Sequence, residues 1–234
     1  MATNGAVVLA HGTQQISLVE LERIGFTAGG RIGFQVQNAL AATAAAWGAG
    51  LNPALIARAL STFATDAQTV PGRFNRWETG GVEIVLDYGH NVAAMRALSE
   101  AVIGLGPRRT VMVLGLPGDR RDDDLRATVA ATTAFANAYV FYDLEDRRGR
   151  AKGELPELMC ATVGRDRLCL IAEAQNEAIA AGWRLVGPGD RLVVIVDAVD
   201  EAIAQMTTLA ETGAGDSVCV SQPLRERALG EIGR

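Results

Sequence analysis

The residues best suited to chemistry follow an apolar run. VEIVLD gives way to Tyr88, Gly89, His90 and Asn91, so an acid, Asp87, ends a strand-like segment and an imidazole lies three residues on. A carboxylate closing an apolar strand needs a partner or a ligand, because an unpaired buried carboxylate is costly. Asp87 and His90 are therefore the candidate catalytic residues. His90 is equally open to a structural role, and Asn91 reads first as a helix cap. Upstream, Arg73 stands two residues beyond Pro71 in VPGRFNRW. A second cluster is GLPGDRRDDD at 115–124: its glycines let backbone amides face an anion, and Arg120 and Arg121 carry forks suited to carboxylate or phosphate. The competing reading is that Asp122–Asp124 merely favour a helix N-terminus, with the arginines solvated. A third is the charged stretch DLEDRRGRAKGE at 143–154, read mainly as a solvated loop and secondarily as a substrate contact.

These residues need elements to hold them. Strand patterns at 73–78, 82–87, 110–115, 138–142, 168–171 and 191–196 alternate with helical patterns at 92–105, 122–135, 155–163, 174–185 and 198–209. Such alternation predicts an α/β domain with a mostly parallel sheet covered on both faces, opened by a hairpin around Gly80-Gly81. Ligands of such sheets bind at the carboxyl edge, where all three clusters fall. Before residue 68 the rhythm differs. Short strands at 5–10 and 16–19 turn at His11-Gly12-Thr13. Then come a helix with Phe34, Asn38, Ala41, Ala42 and Ala45 at helical spacing, and a second helix capped by Asn52 with Pro53 in its first turn. The expected domains are an incomplete one at 1–68, a complete one at 69–210 and a weakly structured tail at 211–234.

Composition narrows the function. The chain has 234 residues, 49% hydrophobic, with a net charge of -5, which disfavours a nucleic-acid surface. No apolar run approaches the roughly 18–20 residues that span a bilayer, and the N-terminus lacks a secretory pattern, so a cytoplasmic, non-membrane protein is expected. The three cysteines are scattered without Cys-x-x-Cys spacing and there are two histidines, which argues against a disulfide framework and a metal site. Lys152, in RRGRAKGEL, is the one lysine, so the chain cannot supply a P-loop.

Taken in order, NALAA, PGRF, DYGHN, GLPGDRRDDD and EDRRGR resemble the C-terminal portion of the cyanophycin synthetase family, part of the Mur ligase superfamily. The resemblance covers nearly the whole chain. It implies a Rossmann-like C-terminal domain of the Mur ligase type, preceded by the helical end of a truncated central domain. It also implies ATP with Mg2+ and an amide ligase that phosphorylates a carboxylate for attack by an amine, joining arginine to a poly-aspartate backbone. By the same resemblance Asn38 approaches the adenine, Arg73 the ATP phosphates, and Asp87, His90 and Asn91 the nucleotide. Gly118, Asp119, Arg120 and Arg121 would hold the incoming substrate. The family commonly has Asn where this chain has Gln35, and Ala and Pro in place of Gly89 and Val92, which would loosen the turn. The expected partners are the ATP-grasp and P-loop regions, in the same protein or in a separate subunit, with a homo-oligomer also possible. The favoured expectation is a ligase fragment inactive alone. The others are a subunit needing a P-loop partner and a non-catalytic nucleotide- or polymer-binding module.

Overall fold

Strand and helix formation follow the hydrophobic pattern closely in the second half of the chain. The computed structural model describes residues 1–212 and 225–226. They fall into two units, one made of Met1–Thr65 with Ala97–Pro107, the other of Asp66–Arg96 with the residues from Arg108 onward.

In the second unit β4 (Asn75–Thr79) and β5 (Val82–Asp87) form the expected hairpin, turning at Gly80-Gly81, where both residues have positive φ. There follow β6 (Thr110–Leu114), β7 (Ala138–Tyr142), β8 (Leu168–Ala172) and β9 (Arg191–Ile195). With the two-residue β10 (Arg225–Glu226) they make a seven-stranded sheet ordered β10-β8-β7-β6-β9-β5-β4. The β8, β7, β6, β9 and β5 pairings are all parallel, while β4 and β10 pair antiparallel at the two edges. β5, β6, β7 and β9 are almost wholly buried and, apart from Glu83, Asp87 and Arg191 toward their ends, mainly apolar, because both faces are covered. Their side chains, among them Ile84, Leu86, Val113, Val140 and Val194, form the core with Ala178, Ile179, Trp183 and Met206 from helices α6 (Gln175–Arg184) and α7 (Val199–Thr212).

Helix α4 (Asp122–Ala130) stops short of the expected residue 135. The hydroxyl of Thr132 donates to the Val129 carbonyl and lies 3.1 Å from the Tyr139 hydroxyl, and that of Thr133 donates to Ala130. Side chains that bond their own backbone compete with continued helix. A disulfide joins Cys160 of α5 (Glu154–Val163) to Cys169 of β8, with the Cα atoms 5.9 Å apart, contrary to the expectation from cysteine spacing. Pairing is set by where a helix lies on a strand, which an odd cysteine count does not record. Of the expected tail, α7 extends to Thr212 and Arg225–Glu226 is strand; the remainder lies outside the described residues.

The first unit has a three-stranded antiparallel sheet of β1 (Ala2–Thr3), β2 (Ala6–His11) and β3 (Gln14–Glu20), then α1 (Gly33–Gly48) and α2 (Pro53–Thr62). Asn52 caps α2, its Oδ1 accepting from Ala54 N at 2.8 Å. The side of α1 that is buried carries Gln35, Ala39 and Thr43, whereas Asn38, Ala41, Ala42 and Ala45 are exposed. Alanine on every side leaves the period little contrast. Val7, Val19, Ile24, Ala39, Ile56 and Leu60 form this unit's core. Among the described residues no helix is long and apolar enough to cross a membrane.

Candidate functional site at the sheet's carboxyl edge

The parallel strands deliver their following loops to one edge, and three of them lead to an aspartate there: Asp87 as the last residue of β5, Asp143 directly after β7 and Asp197 just beyond β9. Each is held differently. Asp87 Oδ1 accepts from Gly89 N at 2.7 Å and Oδ2 from Phe74 N at 2.9 Å, so one carboxylate ties the turn before β4 to the loop after β5. Burial pushes this carboxyl up from its ordinary value, and the Gly89 and Phe74 amides and the Arg73 charge only partly offset it. Asp143 is buried, with Oδ2 accepting from Gly153 N at 2.6 Å and Oδ1 unpartnered among the described residues. Asp197 is exposed.

Arg73 is exposed and its guanidinium carbon lies 5.7 Å from the centroid of Tyr88, which in turn meets the His90 ring edge-on at 4.8 Å. His90 is half-buried and its Nε2 has no partner among the described residues. Burial pushes its pKa down; the Asp197 charge opposes this and the Arg148 charge adds to it, so the ring is mostly neutral at pH 7. Asn91 proves to be the cap of α3 (Val92–Gly104), with Oδ1 accepting from Ala94 N at 2.9 Å. Gly89 does not loosen its turn: a Cβ there would stand 2.9 Å from Asp87 Oδ1 and from Ala94 Cβ, and the missing methyl admits the amide to the carboxylate.

The second and third clusters pack as one double loop. A Cβ on Gly118 would collide with the Arg147 carbonyl and come within 2.8 Å of Arg150 Cγ, so this glycine serves loop-on-loop contact. Arg150 donates to the carbonyls of Gly118 and Arg120 at 3.1 and 2.9 Å, to Asp122 at 2.7 Å and to Glu154 at 2.7 Å. Asp119 pairs with Arg148 at 2.8 Å, and this hydrogen bond holds its carboxyl below the usual range; Arg120 Nε lies 3.7 Å from the same carboxylate. Arg121 bonds Asp124 through two nitrogens, at 2.9 and 3.1 Å, on the exposed start of α4.

Thus Arg73, Asp87, His90 and Asn91 come together, and Gly118, Asp119, Arg120 and Arg121 share the same edge. Asn38 belongs to the first unit, where its amide donates to the buried Gln35 at 3.1 Å. Sequence reasoning passed over Asp197 and took Asp143 only as the first residue of the charged stretch 143–154, although the rule that singled out Asp87 applies equally to AYVFYD and RLVVIVD. It also missed Asn75, whose partners Gly72 and Val70 lie in the turn just before it, and it held Arg148 and Arg150 only as members of that stretch, because their partners Asp119, Gly118 and Asp122 lie 29, 32 and 28 residues away. Among the described residues no three His, Cys, Asp or Glu gather as metal ligands.

Comparison with known proteins agrees with this architecture. Residues 72–196 match the family described as Mur ligase, glutamate ligase domain. A cyanophycin synthetase from Crocosphaera subtropica is 31% identical over 204 residues, which are 86% of this chain and 23% of that protein. The chain thus spans less than a quarter of that relative's length. Among solved structures, UDP-N-acetylmuramate-alanine ligase MurC of Thermotoga maritima shares the fold with a TM-score of 0.57 and 17% identity, over 77% of this chain and 38% of that one. A Mycobacterium tuberculosis folylpolyglutamate synthase complexed with ADP does so with a TM-score of 0.54 and 23% identity, over 71% and 36%. The match over residues 72–196 takes in the carboxyl edge described above except Asp197, one residue beyond it, and by it the chain belongs to the Mur ligase family.

Proposed function

We propose that this chain is the C-terminal part of an ATP-dependent amide ligase of the cyanophycin synthetase kind, joining an amino acid, arginine, to a carboxylate of a poly-aspartate polymer. The observation that carries this reading is the exposed Arg73 guanidinium set beside Asp87, Tyr88 and His90 at the carboxyl edge. The residues present fit a nucleotide: Arg73 is a fixed cation able to face phosphates, and His90, mostly neutral at pH 7, adds little charge against it. Mg2+ would arrive with the nucleotide, since the described residues gather no ligand set of their own. Bound ATP supplies the phosphoryl group that activates the carboxylate.

The chain's own residues bind and orient. Arg73 offsets phosphate charge, and Asp87 holds the two loops from which Arg73 and His90 project. On the double loop, Asp119 and Arg148 offer one acidic and one basic group 2.8 Å apart, a pairing suited to the ammonium and carboxylate ends of an amino acid. Residues 1–68 are the end of a central domain whose P-loop lies elsewhere, in a longer chain or a separate subunit, and whose nucleotide face includes Asn38. The setting is cytoplasmic, where ATP is supplied.

Titrating Mg-ADP into the isolated chain, followed by NMR, tests the nucleotide part. Weak but saturable binding is expected, reduced roughly tenfold in Arg73→Ala, the size expected for one charge-assisted contact. Binding unchanged by Arg73→Ala, or none at millimolar Mg-ADP, would remove the support. Combining the chain with a P-loop-bearing segment should then yield ATP turnover that depends on arginine and poly-aspartate.

A further inference from the structure

The turn that carries Arg73 is held more firmly than a surface turn needs to be. Asn75 is fully buried, and its side chain works at both ends: Oδ1 accepts from Gly72 N at 2.7 Å and Nδ2 donates to the Val70 carbonyl at 2.9 Å. The residues on either side of Arg73 both have positive φ, +72° at Gly72 and +53° at Phe74. Glycine adopts this readily; a bulky residue does so only where its surroundings over-determine it. Phe74 meets that condition, because its side chain is 2% exposed and its N–H is taken by Asp87 Oδ2 at 2.9 Å. On the remaining side Tyr88 N donates to the Gly72 carbonyl at 3.0 Å, and Val199 fills the space where a Cβ on Gly72 would lie. Backbone on three sides is fixed, and within Gly72–Asn75 the one exposed side chain is that of Arg73.

We propose that Asn75 is a positioning residue for Arg73: its paired hydrogen bonds lock the 70–75 turn in a strained form that seats the guanidinium over Tyr88. The inference rests on the reading that Arg73 meets a nucleotide phosphate. The position calls for a donor and an acceptor together, which Asn supplies and Asp does not. Asn75→Asp keeps the acceptor toward Gly72 and sets a second acceptor against the Val70 carbonyl.

The test uses the isolated chain, with the Arg73 Nε–H NMR signal assigned by its loss in Arg73→Lys. Seated over Tyr88, that signal should stand apart from those of solvated arginines. In Asn75→Asp it should move among them, and the Gly72 amide should exchange at least tenfold faster while β6 and β7 amides stay protected. An unmoved Arg73 signal and an equally protected Gly72 would overturn the proposal. Should Asn75→Asp fail to fold, the wild-type protein decides: slow exchange of the Asn75 side-chain amide supports the lock, and solvent-like exchange refutes it. Mg-ADP then separates positioning from mere stability. Asn75→Asp should weaken its binding several-fold in the wild-type background and not further in Arg73→Ala. Equal weakening in both backgrounds contradicts positioning. If Mg-ADP does not bind the wild-type chain at all, the nucleotide reading fails while the NMR result still decides the lock.

Discussion

A carboxylate placed where an apolar strand ends has to be satisfied by something, and Asp87, Asp143 and Asp197 show three ways of doing it within one sheet edge. That Asp87 would need a partner was legible from VEIVLDYGHN alone. That it would bond Phe74, thirteen residues earlier, was not, because a strained turn leaves no mark in composition. Gly118 makes a comparable point. Its spacing in GLPG suggested amides facing an anion, whereas its missing side chain makes room for the Arg147 carbonyl. Gly118→Ala should therefore cost about 1–3 kcal/mol, as overpacking does where neither side can yield, read as a lowered urea midpoint at constant slope. A Gly118→Ala protein of unchanged midpoint would mean that the two loops part easily.

Between elements, the decisive contacts are charged and lie at the opposite, amino end of the strands. Glu83 of β5 is bonded by Arg191 of β9 at 2.8 Å and by Arg76 of β4 at 2.8 Å, with Arg108 at 3.6 Å. Burial alone would raise its carboxyl, but the hydrogen bonds and charges of Arg76 and Arg191 outweigh it and the net shift is downward from 4.5. With the folded value depressed, the unfolded chain binds more protons. The stability Glu83 contributes is present above about pH 4.5 and is lost as the pH falls through the folded value. Glu83→Gln should flatten that part of the acid limb in pH-dependent melts. Arg191→Met, which leaves the buried Glu83 carboxylate only the partly exposed Arg76 and Arg108, should cost about 1.5–3 kcal/mol, the worth of a hydrogen bond to a charged group, part of it recovered by adding Glu83→Leu. The strands themselves were legible; this network was not, since its partners stand 108 residues apart. The same holds for Cys160 and Cys169. Without reduction one thiol of the three should alkylate, and reduction should lower stability by about 2–3 kcal/mol for so short a loop. Three reactive thiols in the unreduced, unfolded chain would show the bond is absent.

For the molecule as a whole, the alternation of strands and helices after residue 70 disclosed a mostly parallel α/β sheet, because strands buried on both faces announce themselves as apolar runs. Their spatial order was hidden. The chain lays down β5, β6, β7 and β8 in turn, and then returns to insert β9 between β5 and β6. Until Arg191–Ile195 is present β5 has no parallel neighbour, and Glu83 lacks its buried partner. A chain ending before residue 191 should accordingly show no cooperative melting of β5, and full cooperativity should return once β9 is included. The order of synthesis acquires a meaning from this. On the ribosome the strand that ends in Asp87 and leads to Tyr88 and His90 waits, half-sheltered by its hairpin mate β4, for a piece of chain made about a hundred residues later. Slow translation over the intervening stretch would lengthen the time that an apolar, sticky edge stays open to other nascent chains.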